Sequence, residues 1–148
     1  MGRDLSIDMR LVIWVLGLLL CSCSPFPKDA SNTSEQIRDS GRMRVTIVSG
    51  TTDTIAAERL VSHLAADWNA TVFVERRPAS YGLRALDEGR IDLLIGEFGR
   101  TSPVSKEASF SNAIGEPEPR DGSEPALRIA RRKGENELIV ATDMLVSS

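Results

Sequence analysis

Apolar and polar residues alternate along the chain in a pattern that predicts strands and helices from about residue 42 onward. Strands are predicted where the alternation has period two or where aliphatic residues run together, at 43–49, 71–75, 91–96 and 126–132. Residues 54–69 are predicted to form a helix, because their apolar positions share one face: Ala57, Leu60, Val61, Leu64, Ala65 and Trp68. Shorter helices are predicted at 81–88 and 137–146.

The order of these segments predicts an α/β fold, with an open, mostly parallel sheet and helices on both of its faces. Short connections in the order β-α-β-α-β favour parallel strands joined by right-handed crossovers. The strand at 91–96 is apolar almost throughout, which predicts burial on both faces. Two segments lack such a pattern. Residues 23–41, with several Pro, Ser and Asn, are predicted to be a flexible tether, and residues 99–124, which contain Pro103, Pro117 and Pro119, an irregular loop.

The N-terminal region has the pattern of a bacterial lipoprotein signal peptide. Arg3 and Arg10 precede an apolar run over residues 11–20, which is about half the length needed to span a bilayer. The quartet at 20–23, Leu-Cys-Ser-Cys, resembles a lipobox, so residues 1–22 are interpreted as the signal and Cys23 as the lipidated N-terminus. An uncleaved signal anchor and an ordinary secretory signal stay open as alternatives. The predicted location is the cell envelope, lipid-anchored and facing the periplasm.

Cysteine content and charge exclude several classes of function. Cys21 and Cys23 are the only cysteines, so a chain processed at Cys23 would keep neither a disulfide nor a thiolate for catalysis or metal binding. His63 is the only histidine, which excludes a histidine metal pair, and it falls on the polar face of the long helix. The formal net charge of −3 argues against a nucleic-acid partner. Because no nucleophile elbow, phosphate loop or metal-ligand spacing is present, no cofactor, metal or catalytic residue is predicted.

Polar residues follow the first and third predicted strands and define a candidate ligand-binding edge. Thr51 and Thr52 lie in the turn before the long helix, and Glu97 and Arg100 follow the strand at 91–96. The carboxyl ends of parallel strands meet at one edge of an open sheet, where ligands commonly bind. Two simpler interpretations stay open: a capped helix, with Thr52 or Asp53 as the N-cap, and a solvated ion pair between Glu97 and Arg100.

Other prominent side chains receive structural interpretations. Trp68 and Tyr81 are predicted to be packing residues. A basic cluster near the end of the last predicted strand is interpreted as a solvated strand end, because Glu135 and Glu137 lie beside it. The members of this cluster are Arg128, Arg131, Arg132 and Lys133.

The segment at 83–96, LRALDEGRIDLLIG, resembles a stretch of bacterial extracellular solute-binding proteins of family 3, in which leucines, a glycine, an aspartate and a hydrophobic run recur at this spacing. Residues 129–138 resemble the late strand and helix that return to the first lobe of those proteins. The resemblance implies that residues 42–148 form a single lobe, with the loop at 99–124 in place of the second. Lys106 lies where the family usually carries an arginine that pairs with an amino acid's carboxylate, and a lysine lacks the forked guanidinium.

The resemblance implies a binding function rather than catalysis. Because one lobe encloses a small molecule less completely than two, the favoured interpretation is a non-catalytic accessory or interaction component of a transport or envelope system. Its partners would be the membrane, through the lipid anchor, and a membrane transport protein or a second copy of the chain. The alternative is weak binding of a small polar solute, an amino acid or organic anion, that feeds an ABC-type transporter. That solute would bind at the edge formed by Thr51, Thr52, Glu97 and Arg100.

Overall fold

A five-stranded sheet forms the centre of the computed structural model, which describes residues 28–101, 103–115 and 124–147. The strands are β1 (Arg42–Val48), β2 (Thr71–Arg77), β3 (Leu93–Phe98), β4 (Ala108–Phe110) and β5 (Ala126–Arg132). The helices are α1 (Thr33–Ser40), α2 (Thr54–Asp67), α3 (Ala79–Asp87) and α4 (Asn136–Val146). Across the sheet the strands follow the order β2-β1-β3-β5-β4.

The directions of the strands confirm the predicted α/β class with a mostly parallel sheet. β1 is parallel to both β2 and β3, whereas β5 is antiparallel to β3 and to β4. Four strands therefore run in one direction and β5 runs against them. Between β3 and β5 the described residues form no α-helix, and a crossover is what a parallel neighbour of β3 would require.

Apolar side chains pack on both faces of the sheet, and helices cover both faces. One cluster joins the sheet to α1, α2 and α4 and includes Ile37, Val45, Ile47, Leu60, Leu64, Ile95 and Leu138. The other lies under α3 and includes Ala85, Leu86, Leu94, Phe98 and Ala130. β3 is buried on both faces, as its run of aliphatic residues predicted.

The long helix α2 forms where its sequence pattern predicted. It begins after Asp53, whose side chain accepts a hydrogen bond from the N–H of Ala56 at 2.9 Å, so Asp53 rather than Thr52 is the N-cap. Its buried residues are Ala57, Leu60 and Leu64, all on the predicted apolar face. This cap fixes the turn that leads from β1 into α2, and the candidate site lies in that turn.

For residues 28–41 the prediction of a flexible tether is wrong, because this segment is part of the folded domain. Residues Thr33–Ser40 form α1, and Ile37 on that helix is buried in the core. Asp29 forms an isolated antiparallel bridge with Glu135, and the N–H of Ala30 donates to the carbonyl of Gly134 at 2.9 Å. The segment is therefore anchored along its length to the chain around the start of α4.

Buried carboxylates explain this anchoring. Oδ2 of Asp29 accepts from the N–H of Ser34 in α1 at 2.8 Å, and its Oδ1 accepts from Glu137 and Leu138 in α4 at 2.6 and 3.1 Å. One side chain thus satisfies free N–H groups in the first turns of two helices. The segment that its polar composition indicated to be a tether is therefore held in the fold by the carboxylate of Asp29, whereas Asn32, the N-cap of α1, makes no side-chain capping hydrogen bond.

Glu135 makes the complementary contacts from the other side of the same bridge. Its carboxylate oxygens accept from the N–H of Ser31 at 2.9 Å and of Thr33 at 3.2 Å, and its side chain is 1% exposed. Arg132 lies beside it, with 3.5 Å between its Nε and Oε1 of Glu135. The two acidic residues therefore join the start of the described chain to its final helix.

The segment predicted as an irregular loop, 99–124, is irregular only in part. Residues Pro103–Lys106 form a short 3-10 helix and Ala108–Phe110 form β4, which pairs with β5 at the edge of the sheet. The phenyl ring of Phe110 packs on that of Phe98, with ring centroids 4.9 Å apart. The prediction missed β4 because three residues are too few to show a periodic pattern.

The interpretation of the basic cluster as a solvated strand end is wrong for two of its members. Arg128 and Arg131 are 0% and 1% exposed, whereas Arg132 is half-buried and only Lys133 is exposed. β5 lies between β3 and β4, which pair with both of its edges, and its two faces pack under α3 and α4. Arg131 reaches α4, where its Nη1 donates to the hydroxyl of Thr142 at 2.9 Å and to Oδ1 of Asp143 at 2.5 Å.

The predicted signal peptide at 1–22 and the lipidation site at Cys23 lie outside the described residues. Among the residues that are described, no helix has the length and apolar character needed to cross a membrane.

Candidate functional site

The turn between β1 and α2 lies at the carboxyl edge of the sheet and is held by its own hydrogen bonds. Gly50 has a φ of 96°, a conformation that favours glycine, and it reverses the chain after β1. Thr51 is nearly buried, and both its hydroxyl and its N–H donate to the carbonyl of Val48, at 2.9 and 3.2 Å. Thr51 therefore stabilises the turn, and its hydroxyl hydrogen is used within it.

Glu97, near the end of β3, joins the two halves of the predicted edge. Its Oε1 accepts from the N–H of Thr52 at 2.7 Å and from the hydroxyl of Thr52 at 2.5 Å. The backbone N–H of Asp53 also faces this carboxylate and contributes to the lowering of its pKa. Because the carboxylate of Asp53 accepts from Ala56, two carboxylates occupy the N-terminal end of α2.

The hydrogen bonds to Glu97 stabilise its ionised form. The hydroxyl of Thr52 is the largest cause that lowers the pKa of Glu97 below its ordinary value, followed by the N–H of Thr52; partial burial opposes them. Glu97 is therefore an anion at neutral pH. It supplies negative charge where a helix N-terminus would otherwise attract an anion from solution.

A buried arginine, which sequence reasoning missed, supports the end of β3. Arg128 donates through Nε to the carbonyl of Phe98 and through Nη1 to the carbonyl of Ser111, both at 2.9 Å. It lies opposite Gly96 in the β3–β5 pair, but the glycine makes room for another residue, because a Cβ at Gly96 would lie 2.6 Å from the side chain of Val48. The contact of Arg128 depends on the pairing of β5 with β3, which the sequence pattern did not predict.

The other two residues of interest lie further along the chain. Arg100 is exposed and follows the buried Gly99 at the same edge as Glu97. Lys106 ends the 3-10 helix, and its carbonyl accepts from Nζ of Lys133 at 2.6 Å. The structure thus brings Thr52 and Glu97 into direct contact, places Thr51 in the same turn, and leaves Arg100 shortly beyond Glu97.

The remaining sequence candidates lie away from this edge. His63 is exposed on α2, as its place on the polar face predicted. Trp68 is partly buried against the core, and the guanidinium of Arg38 lies 5.2 Å from the centre of its ring. Tyr81 is 38% exposed and lies between Arg77 and Arg90, whose guanidinium carbons are each 5.2 Å from the ring centre. The packing interpretation therefore holds for Trp68, whereas Tyr81 is held by arginines at the surface.

In the part of the chain that the structure describes, no group of three or more His, Cys, Asp or Glu side chains is arranged to hold an ion. The buried carboxylates Asp29 and Glu135 are used by backbone N–H groups instead.

Comparison with solved structures identifies the architecture. A crystal structure of domain 1 from TmArgBP in its arginine-bound form matches with a TM-score of 0.63 and 18% sequence identity, over 76% of this chain and 96% of that one. A single-residue mutant of the same arginine-bound domain matches with a TM-score of 0.65 and 17% identity, over 77% and 95%. This chain has the fold of one lobe of a solute-binding protein. No protein-family model matches the chain, and no curated protein matches it.

The match covers nearly the whole of each domain 1 structure, so this chain has the fold of that entire domain. This confirms the single-lobe resemblance read from the segment at 83–96. The structural relatives are binding proteins rather than enzymes.

Proposed function

We propose that this chain is a non-catalytic, solute-binding component of the bacterial cell envelope, and that its solute is small, polar and carries a cationic group. The proposed site is the edge formed by Thr51, Thr52, Glu97 and Arg100. The observation that carries the proposal is the carboxylate of Glu97 on the N-terminus of α2.

The electrostatics of this edge favour cations over anions. In an α/β sheet the helix N-terminus beside the strand ends is a ready site for anions, because its N–H groups are free and its dipole is positive. Here Glu97 and Asp53 already accept from those N–H groups. At the N-terminus of α2 an incoming carboxylate would meet two negative charges and few free donors, whereas an ammonium or guanidinium group would be attracted. A carboxylate on the same solute would be attracted by the exposed Arg100 instead. Of the two solute classes expected from the sequence, the organic anion is therefore the less favoured.

A single lobe encloses a solute less completely than two lobes do. For this reason the sequence favoured an accessory role over solute binding. The likeness to domain 1 from TmArgBP, a single domain in arginine-bound form, supports the view that one lobe of this fold is able to hold a solute. Solute binding is therefore the function that we place first. Weak affinity is expected, because one side of the solute remains in water.

A thermal-shift panel on the purified protein tests the proposal. We expect arginine or lysine to raise the melting temperature, since a ligand that binds only the folded state stabilises it. Citrulline has nearly the same shape as arginine without its charge, and glutamate replaces the cation by an anion; we expect neither to produce a shift. Equal shifts from arginine and citrulline, or a shift from glutamate alone, would show that the cationic group is not what the site recognises.

A matched pair of variants assigns the effect to Glu97. Glu97→Gln should abolish the shift produced by arginine. Glu75→Gln is the control, because Glu75 is also a partly exposed carboxylate that accepts from a threonine hydroxyl of a neighbouring segment, that of Thr46 at 3.1 Å. Retention of the arginine response in Glu97→Gln, with both variants folded, would remove Glu97 from the site.

An accessory role remains the second candidate, because large apolar side chains are exposed. Ile55, in the first turn of α2 beside the proposed site, is 70% exposed, and Met144 on α4 is 64% exposed. Such residues suit contact with another protein. Absence of any ligand-dependent shift, together with loss of a co-purifying membrane transport protein in Ile55→Lys, would favour this role over solute binding.

A further inference from the structure

Among the residues that the structure describes, no other strand pairs with the outer edge of β2. Within the described part of the chain β2 pairs only with β1, over all seven of its residues from Thr71 to Arg77. It is the most exposed strand, and Phe73 and Val74 at its centre are 52% and 45% exposed. Edge strands of soluble proteins are usually protected by proline, a bulge or charged side chains. In β2 the charges are confined to its second half, at Glu75, Arg76 and Arg77, and the first four residues carry none.

The hydrogen bonds to β1 show which backbone groups of β2 face outward. The N–H of Thr71 donates to Gly41, and the carbonyl of Arg77 accepts from Ser49, so these residues turn their backbone groups inward toward β1. Successive residues of a strand direct these groups to opposite sides. The N–H and carbonyl groups of Val72, Val74 and Arg76 therefore point toward the open edge.

This outward set is self-complementary. In an antiparallel pair centred on Val74, Val74 faces its own copy and Val72 faces Arg76 of the other chain. All three residues with outward groups then form hydrogen-bonded pairs, which gives a ladder over the full length of the strand. The apolar side chains of Val74 from the two chains lie side by side on one face of the joined sheet.

The charges of β2 favour this register over its neighbours. Glu75 faces Phe73 of the other copy, and the guanidinium of Arg42 lies over that ring with its carbon 5.8 Å from the ring centre. The carboxylate of Glu75 in one copy thus approaches the guanidinium of Arg42 in the other copy. Moving the centre by one residue to Glu75 would oppose the two Glu75 carboxylates, which is destabilising. Moving it to Phe73 would extend the ladder into Asn69, whose φ of 46° ends the strand.

We infer that β2 is a self-association surface, on which two copies of this chain pair antiparallel about Val74 to form a continuous ten-stranded sheet. The surface lies on a side of the sheet and the proposed solute site lies at the ends of the strands, so pairing leaves that site open. The inference does not depend on solute binding.

Sedimentation of the full chain in a mild detergent tests the inference. We expect a concentration-dependent dimer that is lost in Val74→Lys, because a lysine at the centre of an edge strand disfavours pairing. Ile55→Lys is the matched control: it removes a more exposed apolar side chain outside the edge, and we expect its dimer to persist. Thermal melting of both variants establishes that they are folded. A parent chain that stays monomeric, or equal loss in both variants, would overturn the inference.

A disulfide cross-link tests the register. Residues that form a hydrogen-bonded antiparallel pair have Cα atoms about 5.5 Å apart, within the range that a disulfide bridges. Val74→Cys should therefore give a covalent dimer on mild oxidation, whereas Ile55→Cys should not. The parent chain measures any background from Cys21 and Cys23. Cross-linking of Val74→Cys to a different envelope protein instead of to itself, or no cross-link at all, would overturn pairing with a second copy.

Discussion

Glu97 is the residue on which the interpretation of the site depends, because it is both a structural and an electrostatic element. Its carboxylate holds the turn at Thr52 by two hydrogen bonds, and in the proposed function its charge determines which solutes that turn attracts. Sequence reasoning placed Glu97 and Thr52 at the same edge from the order of strands alone. It did not predict their contact, because side-chain hydrogen bonds across a turn leave no periodic signal in a sequence.

The pKa of Glu97 should follow its contact with Thr52. Thr52→Val removes the hydroxyl donor, so we expect the lowered pKa of Glu97 to move back toward its ordinary value in a titration followed by NMR of the carboxyl carbon. A depressed pKa contributes stability above the pKa of the unfolded chain, and this is lost as pH falls through the folded value. We expect Thr52→Val to lower the free energy of unfolding by about 1 kcal/mol at pH 7. This loss should become smaller below about pH 4, where Glu97 is protonated in the unfolded chain.

Thr54→Val is the control for this titration, because Thr54 is an exposed threonine in the first turn of α2. It should leave the pKa of Glu97 unchanged. An unchanged pKa in Thr52→Val as well would mean that the hydroxyl of Thr52 does not stabilise the anion.

Arg128 should contribute more to stability than any surface arginine. Arg128→Met fills similar space but leaves the buried carbonyls of Phe98 and Ser111 without this donor. We expect a loss of about 3 kcal/mol in the free energy of unfolding, measured with urea. Arg84→Met, at an exposed position on α3, should change it by less than about 0.5 kcal/mol. A small effect of Arg128→Met would indicate that water replaces the guanidinium.

At the scale of elements, the regular segments were predictable and their partners were not. The bounds of β5 were predicted correctly, and α2 began at the predicted residue, since periodicity marks where a long strand or helix lies. The direction of β5 and its place between β3 and β4 depend on contacts far apart in sequence. The burial of Arg128 and Arg131 follows from that placement, so the sequence pattern alone favoured solvent exposure for both.

The joint capping of α1 and α4 by Asp29 gives an element-scale prediction. Asp29→Ala removes acceptors for Ser34, Glu137 and Leu138 together, so we expect a loss of about 2 kcal/mol in stability. Amide hydrogen exchange should show the loss first in α1 and in the first turn of α4. Asp39→Ala, at an exposed position in α1, is the matched control. If residues 28–41 behaved as a tether in solution, the two variants would be indistinguishable.

At the scale of the whole molecule, the single lobe is the property that shapes function. Its resemblance to solute-binding proteins was visible in one segment, 83–96, because that segment combines a helix, a turn glycine and a buried strand at fixed spacing. The functional consequence was less accessible to sequence reasoning. Our proposal of a cationic solute depends on how charges are arranged at the edge, and the contact of Glu97 with the N-terminus of α2 is visible only in the folded structure.

Attachment to a membrane is the remaining whole-molecule prediction. The folded domain begins by Asp29, so a lipid on Cys23 would leave only a short connection between the membrane and the domain. Tethering of this kind raises the local concentration of a weak binder or of a self-associating chain. Cys23→Ser should therefore move the protein from the membrane to the soluble fraction or leave it unprocessed, as seen by fractionation and mass. Cys21→Ser is the control and should be processed normally. Full membrane retention of a correctly processed Cys23→Ser chain would show that the anchor lies elsewhere.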